Sequence, residues 1–230
     1  MEYVYILFLL IDVFMAYRFM YKDFSMKQKL LTSVPFVVSG LWLTLMCSPV
    51  NMKYSWLIVA GLCSSFIGDW VLRYDLFGMK GLPGIIAFAL AHILYISAYA
   101  VRVPLTLRDL VLFVPWTVML VLEIFAKKRM KVNLGATAPA VLVYAMIIDA
   151  MVVLGIRAAV LTMGSGMSIF RGIILIAGVI MFIISDAGVC LMMFDGRTQI
   201  KTKKKTYRLN SFNVVTYYGG QMLIAASVLV

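Results

Sequence analysis

Apolar residues run along this chain in eight blocks, near 1–21, 28–47, 54–74, 82–101, 109–126, 137–157, 170–193 and 212–230. A helix rising about 1.5 Å per residue needs about 20 apolar residues to cross a bilayer core. Most blocks meet that length. They also exceed ordinary strands, and unpaired strands cannot cross lipid. The pattern therefore predicts an all-α fold, a polytopic membrane bundle of eight transmembrane helices forming one domain over 1–230. Breakers mark the joints. Ser48-Pro49-Val50-Asn51 ends the second block, and Gly81-Leu82-Pro83-Gly84 opens the fourth. Arg102-Val103-Pro104 follows it, and Gly164-Ser165-Gly166 separates the sixth from the seventh. The first block starts almost at Met1, with Glu2 in place of a basic flank and no small-x-small cleavage site. It reads as a retained span, not a signal peptide.

Composition sharpens this picture. The chain is 63% hydrophobic and 13% charged over 230 residues, against about half and a quarter in soluble domains. A water-soluble globule and a disordered chain are both excluded. The formal charge is +11, which on a soluble protein would suggest nucleic acid. Here the basic residues sit in the loops, so no nucleic-acid partner is expected; they set topology and meet anionic lipid heads. The loops after blocks 1, 3, 5 and 7 carry 16 Lys and Arg, and the other side carries 5. That split puts Lys127–Lys131 and Lys201–Lys205 in the cytoplasm and both termini outside. The expected location is a bacterial cytoplasmic membrane. Cys47, Cys63 and Cys190 show no CxxC spacing, which argues against a disulfide framework or zinc knuckle. No internal repeat is visible, which weighs against a transporter of inverted halves.

Ionisable groups inside lipid are costly and usually face a bundle interior or wet cavity. This chain has Asp12, Asp69, His92, Asp149 and Asp186 inside blocks, Glu123 near a block end, and Tyr217, Tyr218 and Gln221 in the last block. From the helical rise, Asp69 lies about 7 Å from the cytoplasmic end of its span. Tyr218, Tyr144, Asp186, Gln221 and His92 follow at about 9, 10, 12, 13 and 15 Å. Five helices thus bring polar groups into one cytoplasmic-side layer. His92 and Tyr95 are three residues apart and share a helix face, as do Tyr218 and Gln221. Asp149 lies nearer the outer half and points elsewhere. Plainer readings exist for each: an i,i+4 pair of Asp69 with Arg73, a helix–helix hydrogen bond from His92, a packing hydrogen bond from Asp12, and core aromatics for the tyrosines. Gly61, Ser64, Ser65 and Gly68 read as small residues for close helix contact.

Four short motifs carry a resemblance. Ser65-Phe-Ile-Gly-Asp69 is similar to the Gly-Asp motif of the YhhN/TMEM86 family of membrane proteins. Phe88-Ala-Leu-Ala-His92-Ile-Leu-Tyr95 resembles its Phe-x-x-x-His-x-x-Tyr motif. Phe182-Ile-Ile-Ser185-Asp186 resembles its Phe-x-x-Ser-Asp run, and Tyr217-Tyr218-Gly-Gly-Gln221 its closing Tyr-x-x-x-Gln element. They occur in family order across spans 3, 4, 7 and 8.

The resemblance implies lysoplasmalogenase activity: hydrolysis of the vinyl ether of a lysophospholipid to a fatty aldehyde and a glycerophospho-base. Such an ether is cleaved by protonating its β-carbon, adding water to the oxocarbenium ion and collapsing the hemiacetal. Two carboxyl groups suit this, as in glycosidases by analogy. Burial in lipid favours the neutral carboxyl, and a cationic neighbour the ionised one. Asp186, with no basic residue near it in its span, is the expected acid. Asp69, beside Arg73, is the expected anion. His92 would shuttle the proton or orient a carboxylate. Tyr95, Tyr144, Tyr217, Tyr218 and Gln221 would bind the glycerol hydroxyl or phosphate. No metal or other cofactor is expected, and the expected partners are a lysophospholipid substrate and membrane lipids. Two alternatives compete: a metal-dependent membrane lipid hydrolase with a His/Asp/Asp set, although zinc favours more His or Cys, and a proton-coupled small-molecule transporter.

Overall fold

In the computed structural model, residues 2–22, 25–46, 51–72, 74–129, 134–164, 169–194 and 203–229 are described. Eight helices follow in chain order: α1 (Glu2–Tyr21), α2 (Met26–Met46), α3 (Met52–Val71), α4 (Leu82–Arg102), α5 (Phe113–Arg129), α6 (Ala138–Gly164), α7 (Ile169–Phe194) and α8 (Lys203–Ala226). The protein is an all-α bundle, as the apolar blocks predict. Among the described residues, seven helices are long and apolar enough to cross a membrane, which makes this an integral membrane protein. The eighth, α8, begins at Lys203, well before its apolar stretch. A hairpin of two-residue strands, β1 (Asp75–Leu76) and β2 (Met79–Lys80), joins α3 to α4. Its turn needs positive φ at Phe77 (55°) and Gly78 (73°), a demand that the glycine meets without strain.

α2, α3, α4, α6, α7 and α8 pack into the body of the bundle, with α1 against α2 and α8 and α5 against α6. Without a hydrophobic force between helices in lipid, close contact depends on small residues. Gly61 supplies one such contact, since a Cβ there would collide with the Tyr95 ring. Gly220 supplies another, where a Cβ would meet the Gly178 carbonyl at 3.2 Å. Side chain to backbone bonds add to this: Ser64 Oγ donates to the Ala87 carbonyl at 2.8 Å, and Tyr5 OH to that of Met222 at 2.7 Å.

No described residue of α5 is buried. This helix is held instead from its ends and side. Arg157, on α6, forms a two-pronged pair with Asp109 through Nε (2.5 Å) and Nη2 (2.7 Å). It also donates to the carbonyls of Val103 (2.8 Å) and Pro104 (3.0 Å), just past α4. Trp116 Nε1 donates to the Met146 carbonyl at 2.9 Å. A bidentate guanidinium of this kind fixes direction as well as distance, so the α4–α5 connection is tied to α6 at the end of the bundle opposite Asp69.

The distribution of basic residues predicts the orientation. A C-terminal reporter that fluoresces only in the cytoplasm should stay dark, and one inserted between α7 and α8 should be bright. The reverse result would put the polar layer described next at the outer face.

Candidate functional site

Seven helices, α1 to α4 and α6 to α8, line one cavity of about 340 Å³. Its walls include Lys29 near the start of α2, Asp69 near the end of α3, Tyr144 of α6, Asp186 of α7, and Tyr217 and Tyr218 of α8. These positions all lie toward the end of the bundle that the basic loops assign to the cytoplasm. Most of the remaining wall is apolar, with Phe19, Ile85, Phe88, Val141 and Val189 among it. Asp69 and Asp186, 117 positions apart in a 230-residue chain, thus share one chamber.

Asp69 is held on both oxygens. Lys29 Nζ lies 3.0 Å from Oδ1. Ser33 Oγ donates to Oδ2 at 2.7 Å, and Tyr217 OH donates to the same oxygen at 2.9 Å. The Asp69 side chain is 3% exposed and that of Lys29 22%, so the carboxylate is sheltered while its cation reaches the cavity. Lys29 and Ser33 are one helical turn apart, which puts both on the α2 face toward α3 and α8. The expected partner, Arg73, lies outside the described residues. Three donors from two helices fix the position of the Asp69 carboxyl group.

Asp186 has a different environment. Tyr144 OH donates to its Oδ2 at 2.5 Å. His92 Nε2 lies 2.9 Å from Tyr144 OH and 3.3 Å from the same Oδ2. His92 is fully buried, and its Nδ1 has no hydrogen-bond partner among the described residues. A buried lone pair is cheaper to leave unmatched than a buried N–H, so the network assigns the proton to Nε2. A relay results: His92 Nε2–H to Tyr144 oxygen, Tyr144 O–H to Asp186 Oδ2. All these contacts fall on Oδ2. The Asp186 side chain is 13% exposed, and its other oxygen meets no donor among the described residues.

Of the residues singled out from sequence, Asp69, Asp186, Tyr144, Tyr217 and Tyr218 line the cavity, and His92 stands behind Asp186. Tyr95 and Gln221 pair with each other, Tyr95 OH donating to Gln221 Oε1 at 2.9 Å, and neither reaches the cavity wall. The Phe182 ring sits among His92 (4.8 Å), Tyr217 (5.7 Å) and Tyr95 (6.3 Å). These ring contacts give its motif position a packing role. Asp12 and Asp149 are buried but do not line the cavity.

Sequence reasoning misses three participants. Lys29 counts there as a topology charge, although Lys29, Ser33, Phe36 and Gly40 follow helical spacing on one face. Ser33 has the same signal. Asn213 Nδ2 donates to the Ser185 carbonyl (2.7 Å) and Oγ (2.9 Å), fixing α7 against α8 beside Asp186. Among the described residues, no group of three His, Cys, Asp or Glu side chains could hold a metal ion.

Comparison with curated proteins and with solved structures yields no match. The model of the YhhN family matches residues 29–228, a span that begins at the cavity lysine and takes in all four motifs. By that match over most of its length, this chain belongs to the YhhN family.

Proposed function

We propose that this protein is a lysoplasmalogenase-like hydrolase that cleaves the vinyl ether of a lysophospholipid with two intramembrane carboxyl groups. One observation carries the reading. Two aspartates in unlike electrostatic settings line one mainly apolar chamber at the headgroup end of the bundle. Pairs of carboxyls whose surroundings push them toward opposite protonation states mark an acid and its anionic counterpart.

Asp186 is the acid. Its Oδ2 is occupied as an acceptor, so its proton resides on Oδ1, toward the chamber. That proton moves to the β-carbon of glycerol–O–CH=CH–R, and the π electrons form the new C–H bond. The α-carbon and ether oxygen then share an oxocarbenium charge. Asp69, fixed and ionised, stabilises that charge and orients a water. The water oxygen bonds to the α-carbon and gives up one proton to Asp186, which restores the acid, while Tyr144 and His92 keep its other oxygen in place. The hemiacetal collapses by breaking its bond to the glycerol oxygen, which takes up the proton that the hemiacetal hydroxyl gives up as its C=O forms. One water is consumed, and the products are a fatty aldehyde and a glycerol hydroxyl.

Lys29 gives the substrate its direction. Its ammonium, the partly exposed member of the Asp69 pair, stands at headgroup depth and attracts a lipid phosphate. The function is tested by incubating purified protein with a lysoplasmalogen and following aldehyde release, with and without chelator. Aldehyde production that survives chelation is expected. Activity lost to chelator and restored by zinc would favour the metal hydrolase, and no aldehyde would overturn the proposal. Lys29→Gln should lower kcat/KM for the phosphate-bearing substrate by roughly tenfold more than for the corresponding alkenylglycerol, since a charge-assisted contact is worth about 1.5–3 kcal/mol. Equal losses on both substrates would leave Lys29 a partner of Asp69 alone.

A further inference from the structure

Asp186 and Tyr144 stand between two cavities. The second, of about 120 Å³, lies where α5, α6 and α7 meet. It shares Val141, Tyr144, Asp186 and Cys190 with the main chamber. Its other walls are Ala126, Ala145, Ile148, Ile183, Ala187 and Leu191, with Glu123 as the further polar member. Three alanines on three different helices keep it open. It also borders the bilayer, because α5 has no buried residue among those described.

We propose that this crevice holds the hydrocarbon chain of the substrate, and that the chain enters it sideways from the cytoplasmic leaflet between α5 and α7. The inference rests on the lysoplasmalogenase reading. Three observations agree on the occupant. Apart from Glu123, Tyr144 and Asp186 the lining is apolar and lies within the span, so its natural ligand is a hydrocarbon, not a headgroup. Its depth follows a lipid chain: Leu191 is near the cytoplasmic end of α7, whereas Ile183 and Ile148 are about 16 and 15 Å deep. Lys29, at headgroup level, lines the main chamber but not the crevice.

The order of atoms in the substrate supplies the remaining argument. From phosphate to tail the sequence is glycerol, ether oxygen, α-carbon, β-carbon, chain. With phosphate at Lys29 and tail in the crevice, the β-carbon is the reacting atom nearer the crevice. Asp186, the carboxyl common to both cavities, therefore meets the carbon that must be protonated. Asp69, on the Lys29 side, meets the oxygen and α-carbon, where positive charge develops and water adds. The two carboxyls thus acquire unequal roles from position alone.

The test compares alkenyl lysolipids of eight and sixteen chain carbons on Ala145→Phe and Ala187→Phe. A ring in the crevice should lower the ratio of long-chain to short-chain kcat/KM by roughly tenfold or more, as pocket fit at the level of a few methylenes normally does. The ratio is internal to each variant, so partial misfolding leaves it unchanged. An unchanged ratio in both variants overturns the crevice assignment. A second measurement separates this from failure of the reaction itself. A lysolipid with a diazirine at its chain terminus should crosslink to α5, α6 or α7 in the wild type even if no aldehyde forms. Labelling confined to other helices would also overturn the assignment.

Discussion

Asp186→Asn is expected to lower aldehyde release by about 10²–10⁴-fold, the range general acid catalysis contributes, while the protein still elutes as a monodisperse peak. The amide keeps the carboxyl's shape and can still accept from Tyr144 through its oxygen. It has no acidic proton for the β-carbon. Steric and packing explanations would predict little change from so small a replacement, so a large loss points to the proton. Tyr144→Phe should fall less far, because it removes a donor to Oδ2 and leaves the acid in place. Asp12→Asn and Asp149→Asn serve as comparisons: both are buried, and neither lines the chamber. If they lose as much as Asp186→Asn, helix packing and not acid catalysis explains the loss.

The bundle was legible because lipid imposes one rule on every span: backbone groups must bond within the helix and side chains must be apolar. Eight apolar blocks therefore translate into eight helices with little competition from other folds. The depth of a polar residue was also legible, since it needs only the helical rise and a span end. Azimuth was not. Tyr95 and Gln221 have the right depth for the chamber, yet they pair with each other beside Phe182. Where a side chain points depends on how neighbouring helices rotate, and glycines such as Gly61 set that. Charges at span ends were hidden for another reason. Lys29 obeys the positive-inside rule like any interface lysine, and its sequence carries no sign that the ammonium turns inward to Asp69. Arg157 poses the same difficulty on the other side: it is the last residue of the sixth block in sequence, yet it lies inside α6 and holds Asp109.

Asp69→Asn is expected to reduce turnover by at least about 10²-fold, the scale on which single preorganised electrostatic groups act. The oxocarbenium ion would lose its nearest fixed negative charge in a site where water does little screening. This variant also has a structural effect that must be separated from the chemical one. The neutral amide would leave the Lys29 ammonium without its counter-charge, and breaking a buried pair at one partner is more damaging than removing both. Thermal stability in detergent should therefore fall in Asp69→Asn and recover in part in the double variant Lys29→Met/Asp69→Asn. Activity should not recover with it. If the pair serves only to join α2 to α3, the double variant should regain turnover together with stability, because nothing chemical would depend on the carboxylate. Stability and turnover parting company in the double variant is the outcome that assigns Asp69 to the reaction; their moving together would assign it to the fold.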